Sequence, residues 1–213
     1  MYAADCTDIP TRTFTSSSFR ANRYAVQPKN NLQGGITVRS RTLLALAGLL
    51  SISVTAQFAI AKTKSAHANI VNAQGTQIGT AKFAPAAQGV KVTVKVSQLT
   101  PGEHGIHIHT IGKCEGPAFT TAGGHFNPTS SHHGINNAAS PHPHVGDLPN
   151  LVVDKSGKGS ANFTIAGATL EEGANSLFHE NGTALVIHAK ADDLMSDPSG
   201  NSGDRIACGV IEK

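Results

Sequence analysis

The sequence predicts an all-β domain, an eight-stranded Greek-key β-barrel or sandwich with two long functional loops. Three observations carry this reading. From residue 64 onward, short apolar runs alternate with polar residues and are cut by Gly, Asn, Asp and Pro. No window there repeats apolar residues at the 3.6 spacing of a helix. The 213 residues include 22 Gly and no Trp, which suits many turns better than a large aromatic core.

Strands are expected at Ala66 to Asn72, Gln77 to Ala84, Gly89 to Val96, Gly105 to Thr110, Leu151 to Asp154, Gly159 to Ile165, Thr183 to His188 and Arg205 to Ile211. The third is the clearest: Val90, Val92, Val94 and Val96 alternate with Lys91, Thr93, Lys95 and Ser97, so one face is buried and one is wet. Eight strands in this length fit a closed or double-sheet antiparallel architecture. Residues 111–150 and 190–204 give no regular pattern. Loops this long in a compact domain are functional or disordered, and the histidines concentrated in the first favour function.

Residues 1–61 differ in kind from the rest. They hold six of the 17 Lys and Arg but two of the 14 Asp and Glu, so the remaining segment is near neutral and gives no reason to expect nucleic acid as a partner. All 11 histidines lie after residue 61, a bias that points to metal. Residues 36–61 read as a signal peptide: Arg39 and Arg41, then the apolar stretch Thr42 to Ala56, then small-residue cleavage sites. Cleavage after Ala61 spares the apolar run Ala66 to Val71, which cleavage after Ala68 would cut. Ser51, Ser53, Thr55 and Gln57 dilute the span, so no stable membrane anchor is expected. The protein is thus expected to be exported, to the periplasm or the extracellular space. Residues 1–35 form a Ser/Thr-rich leader of unknown role with a disorder-like composition. Cys6 would leave with it, so residues 62–213, the folded domain, keep Cys114 and Cys208, and export permits a disulfide.

His107 and His109 are two apart in an expected strand, so both imidazoles share one face while Ile106 and Ile108 take the other. Alone, the pair is also an ordinary surface pattern. His125, His133, His144 and Asp147 follow within 23 residues of loop, a set matching the nitrogen and oxygen preferences of zinc. A loop without a core of its own has use for a metal as organiser. His188 ends an apolar strand and reads equally as a ligand or as a buried, hydrogen-bonded histidine.

Five segments, Gly105-Ile-His-Ile-His109, Gly123-Gly-His-Phe-Asn-Pro128, His144-Val-Gly-Asp147, Leu185-Val-Ile-His-Ala-Lys-Ala-Asp-Asp193 and Gly203-Asp-Arg-Ile-Ala-Cys-Gly-Val210, resemble the Cu,Zn superoxide dismutase family in order and spacing. The resemblance covers about residues 64–213 and is to the bacterial form, the second loop being short and free of lysine. It implies copper bound by His107, His109, His125 and His188, zinc bound by His125, His133, His144 and Asp147, and His125 as the bridge. It implies that Asp192 links His107 to His133, that Arg205 receives the superoxide anion, and that Cys114 pairs with Cys208. Four imidazoles suit Cu(II), and the mixed set suits zinc. The implied activity is conversion of superoxide to dioxygen and hydrogen peroxide, with His125 also holding a proton. Lys113 or Lys190 can steer the substrate only if the fold brings them to the channel. A homodimer is compatible with the resemblance but not specified by it.

The rival class is a metal-binding protein without turnover. A copper buffer has no need of Arg205 or Asp192, and a zinc-only protein has no need of four copper histidines. His67, His104, His132, His142 and His179 are left without a role. His132 and His142 flank the zinc set closely enough to serve as substitute ligands, with ordinary exposure the favoured reading. The exported protein is expected to begin near Lys62; intact mass spectrometry checks this, and a mass that includes residue 1 would contradict it.

Overall fold

The alternating pattern becomes nine strands in the described residues, 64–139 and 141–213, of the computed structural model. They are β1 (Ala66–Asn72), β2 (Gln77–Ala86), β3 (Gly89–Val96), β4 (Gly102–His104), β5 (Ile106–His109), β6 (Leu151–Val153), β7 (Gly159–Ala166), β8 (Ala184–His188) and β9 (Arg205–Val210). The expected signal peptide, leader and Cys6 lie outside the described residues. Each of the eight expected strands is present, with ends shifted by a residue or two. The ninth, β4, was not expected: three residues pairing with three of β6 are too short to show alternation.

The strands form one antiparallel sheet in the order β4-β6-β7-β3-β2-β1-β9-β8-β5. Its two outermost strands, β4 and β5, are consecutive in the chain and joined through Gly105, so the sheet curls back on itself as a nearly closed barrel. The seam is stitched at Gly105, whose N–H donates to Lys190 O at 2.8 Å and whose carbonyl accepts from the His188 N–H at 2.8 Å. The neighbours β1 and β9, and β3 and β7, are the crossovers of a Greek key.

Inward-facing Ile70, Phe83, Val92, Ile106, Ile108, Leu151, Ile165, Leu185 and Ile187 fill the barrel and are fully or almost fully buried. Each such side chain contributes roughly 1.5–3 kcal/mol by leaving water. A second, smaller cluster lies outside the barrel wall: Phe119, Ala122, Ala184, Val186 and Cys208, with Val71 and Cys114 against it. It sits beneath the loop of residues 110–150 and encloses the Cys114–Cys208 disulfide, whose Cα atoms are 5.6 Å apart. That loop is thereby anchored to β8 and β9 by apolar contact and by a covalent bond. Among the described residues no helix is long and apolar enough to cross a membrane.

Candidate metal centre

β5 is buried on both faces because the long loop covers its outer side. Ile106 and Ile108 point into the barrel, while His107 and His109, 0% and 1% exposed, point outward beneath the loop. The free edge of β5 is also capped. The Ile108 N–H donates to Gly146 O, and Ile108 O accepts from the Phe126 N–H, both at 2.8 Å. A Cβ on residue 146 would collide with Ile108 O, so this docking requires glycine. His125 and Asp147, the next residues along, come to lie opposite His109 and His107.

Asp147 is the focus of one cluster. Its Oδ1 is 2.8 Å from His125 Nδ1, 3.0 Å from His133 Nδ1 and 3.2 Å from His144 Nδ1. Its Oδ2 accepts from the Gly134 N–H at 2.9 Å and from the His144 N–H at 3.2 Å. The Nδ1 atoms of His125 and His144 face each other at 3.4 Å, an approach of lone pairs and polar hydrogens that a shared cation would satisfy. Burial alone would raise the Asp147 pKa, but the three imidazole hydrogen bonds hold its carboxyl far below the usual carboxylate range.

The second cluster is defined by unused nitrogens. His107 Nδ1, His109 Nε2, His125 Nε2 and His188 Nε2 are buried and have no hydrogen-bond partner among the described residues. The other nitrogen of each ring is engaged: His107 Nε2 with Asp192 Oδ2 at 2.7 Å, His109 Nδ1 with Gly123 O at 2.9 Å, His125 Nδ1 with Asp147, and His188 Nδ1 with Gly203 O at 3.1 Å. Four buried lone pairs without donors are costly unless a metal accepts them. The ligand atoms of each four-residue set lie within 4.8 Å of one another, and His125 belongs to both. Burial depresses the imidazolium pKa of His107 to about 3 and of His188 to about 4, and lowers those of His109 and His125. Neutral rings are what metal ligation needs.

Asp192 joins the two clusters, its Oδ1 meeting His133 Nε2 at 3.0 Å while Oδ2 holds His107. It is 3% exposed, and its own backbone is clamped by Asn150, which accepts from the Asp192 N–H at 2.8 Å and donates to Asp192 O at 2.9 Å. Burial opposes a charged His133, but its hydrogen bonds to Asp147 and Asp192 outweigh this and raise its pKa to about 9. A cation at this cluster would displace the proton those carboxylates favour.

Arg205 opens β9 directly across from His188. Its guanidinium donates to Phe119 O at 2.8 Å and Gly123 O at 2.7 Å, which fixes the fork while leaving Arg205 beside a surface depression formed with Pro117, Ala118, Thr120, Gly203 and Asp204. Gly123 O thus holds both Arg205 and His109. The stem of Lys190 lies against Gly203, next to this segment.

The model of the family described as copper/zinc superoxide dismutase matches residues 77–211. The chain belongs to the copper/zinc superoxide dismutase family. It is 45% identical over 162 residues to "Superoxide dismutase [Cu-Zn] 1" of Aquifex aeolicus, covering 75% of this chain and 95% of the relative. It is 34% identical over 172 residues to the Cu-Zn superoxide dismutase of Escherichia coli K12, covering 75% and 94%. Among solved structures it resembles a SOD-like protein from Bacillus subtilis (TM-score 0.65, 38% identity, 68% of this chain and 96% of that one). It also resembles the Cu/Zn superoxide dismutase of Brucella abortus (TM-score 0.56, 29% identity, 70% and 100%). The member described here is accordingly an oxidoreductase acting on superoxide, with copper and zinc as its cofactors.

The residues expected from sequence as metal ligands fall into the two clusters, with Asp192 between them and Arg205 at the edge. Three supporting residues were not legible. His104, left without a role, is 2% exposed; its Nδ1 lies 2.7 Å from His188 O and its Nε2 2.9 Å from Thr100 O, bracing β4 against the end of β8. Asn150 was read as the end of a loop. Asp197, in the second irregular stretch, accepts from the His133 N–H at 2.6 Å and pairs with exposed His132 at 2.7 Å, joining the two long loops. His104 alone carried a signal, as a third histidine close before the His107–His109 pair.

Gly200 has φ +61, and a Cβ there would collide with Asp192 Oδ1 and crowd His133 Nε2. Gly200→Ala is expected to displace Asp192 and weaken metal retention by about 10 to 100-fold, as Asp192→Asn should. Metal competition with a chromogenic chelator checks this, and unchanged affinity in both variants would detach Asp192 from the metal centre.

Proposed function

We propose that His107, His109, His125 and His188 hold copper, that His125, His133, His144 and Asp147 hold zinc, and that Arg205 receives superoxide beside the copper set. The observation that carries this is the set of four buried, unpartnered ring nitrogens, one of them on the residue shared with the Asp147 cluster. The all-imidazole set suits copper and the set with a carboxylate suits zinc. Copper, when bound, supplies a one-electron redox couple, while zinc supplies a fixed positive charge without redox chemistry.

The net reaction takes two superoxide anions and two protons to one dioxygen and one hydrogen peroxide. The chain's part is to bring in the anion, orient it and manage a proton. Arg205, locked by the Phe119 and Gly123 carbonyls, presents a fixed planar donor to a small diatomic anion. Burial lowers its pKa from the usual arginine value, but a guanidinium keeps its charge. His125 has Nδ1 committed to the Asp147 side, so Nε2 is the position at which it holds a proton for the second product. Gly123 O, Gly203 O and Asp192 orient the other rings so that their free nitrogens converge. The Cys114–Cys208 disulfide fits an oxidising compartment. With the signal read at residues 36–61, it supports export to the periplasm or beyond.

His125→Ala is expected to lower both copper and zinc content, whereas Asp147→Ala should lose zinc first. Metal analysis of the purified variants decides this, and full occupancy of both metals in His125→Ala would remove the shared-ligand role. Arg205→Ala is expected to keep both metals and slow superoxide decay by roughly tenfold or more, with a shallower dependence on ionic strength. Arg205→Lys should fall between, keeping the charge but not the fork. Stopped-flow rates across a salt series check this; parallel slopes and equal rates would exclude Arg205 from substrate capture.

A further inference from the structure

Strands β1, β2, β3 and β7 lie side by side and carry no acidic residue. Their ionisable side chains are His67, Lys82, Lys91 and Lys95, all exposed. Register gathers them: His67 is opposite Lys82, Lys82 is opposite Thr93, and Lys91 and Lys95 flank Thr93 at two residues either side. Lys82 therefore has two lysines as diagonal neighbours on one face, roughly 7–8 Å away and within reach of long side chains. A groove of about 560 Å³ runs over this face, where Lys82, Lys91, His67 and Lys213 are joined by the hydroxyls of Ser65 and Thr93. Among the described residues none of Lys82, Lys91 and Lys95 forms an ion pair, whereas Lys64 pairs with Glu171. Glu212, opposite His67, marks the margin of the patch. The acids concentrate elsewhere, with Asp147, Asp192, Asp193, Asp197 and Asp204 in the loops about the metal centre. Unpaired like charges packed on one face of a near-neutral domain cost stability unless an anion covers them.

We propose that this outer barrel face is a docking surface for an acidic polysaccharide. Among the described residues these four strands carry no exposed aromatic side chain and no arginine, so the face lacks the anchors of a protein interface, the stacking platforms of a single-stranded nucleic acid site and the planar forks of phosphate recognition. It offers lysines interleaved with the hydroxyl and amide groups of Thr80, Thr93, Ser160 and Asn162, which suit carboxylates spaced along a polymer of sugar hydroxyls. Lys91 and Lys95 stand about 13 Å apart along their strand, a reach for an extended chain rather than a single small anion. β1 and β9 separate β2 from the β8–β5 pair that bears three of the copper-set histidines, so an occupied face leaves the metal centre open. Docking would concentrate the enzyme on an anionic matrix without altering its chemistry.

Retention of the metal-loaded protein on immobilised polygalacturonate, with neutral dextran as control, tests this. The protein is expected to bind at low ionic strength and to elute as salt rises through the range where the Debye length falls to about 8 Å. Lys82→Gln/Lys91→Gln/Lys95→Gln should bind about tenfold more weakly while removing superoxide at the unaltered rate. Lys113→Gln/Lys155→Gln, set against Lys82→Gln/Lys91→Gln, removes equal charge from elsewhere and should bind nearly as the parent does. Three results would overturn the proposal: no retention on polygalacturonate, equal weakening in the two double variants, or tighter binding to polyphosphate, duplex DNA or anionic phospholipid vesicles of matched charge.

Discussion

The peptide groups of Ile108 are the constraint on which the metal centre depends. They point away from β8 at the bare edge of β5, where unpaired backbone groups are both unsatisfied and open to aggregation. Gly146 O and the Phe126 N–H take them up, closing the edge with two points of the long loop between β5 and β6. Because His125 precedes Phe126 and Asp147 follows Gly146, the bonds that finish the barrel also deliver the residue shared by both clusters and the carboxylate that organises one of them. Strand pairing and site assembly are here a single event.

Backbone carbonyls then decide which nitrogen of each ring is free. Gly123 O takes His109 Nδ1 and Gly203 O takes His188 Nδ1, turning both Nε2 atoms inward. His107 is turned the other way by Asp192 and presents Nδ1. The same Gly123 carbonyl accepts from Arg205, so the orientation of His109 and the placement of Arg205 share a support. That support is held by the small cluster around Phe119 and by the disulfide, whose chain-entropy contribution for a separation of 94 residues is on the order of 4 to 5 kcal/mol. The second long loop is tied in by Asp197 at His133 and by Gly200 over Asp192.

Charge follows the same division of labour. Carboxylates cluster where cations and imidazoles can satisfy them, and the lysines of β2 and β3 stand on strands well removed from the metal ligands. Asp204 lies beside Arg205 in one surface depression, while Asp197 is bound to His132 and His133. The Arg205 guanidinium, held by two carbonyls, is a fixed positive charge close to Asp204.

The sequence by itself determined the alternating strands, clearest in Val90 to Val96, and the two irregular stretches. It also determined the residues able to bind metal, because a period of two, histidine-rich loops and fixed spacings are local properties written in order along the chain. It did not reveal β4, whose three residues are held only by pairing with β6, nor the bracing by His104 and Asn150, whose partners lie 84 and 42 residues away. Nor did it reveal which nitrogen of each ring is free or why residues 146 and 200 must be glycine. Those depend on where distant carbonyls and carboxylates come to rest once the sheet closes, and only the packed barrel fixes such distances.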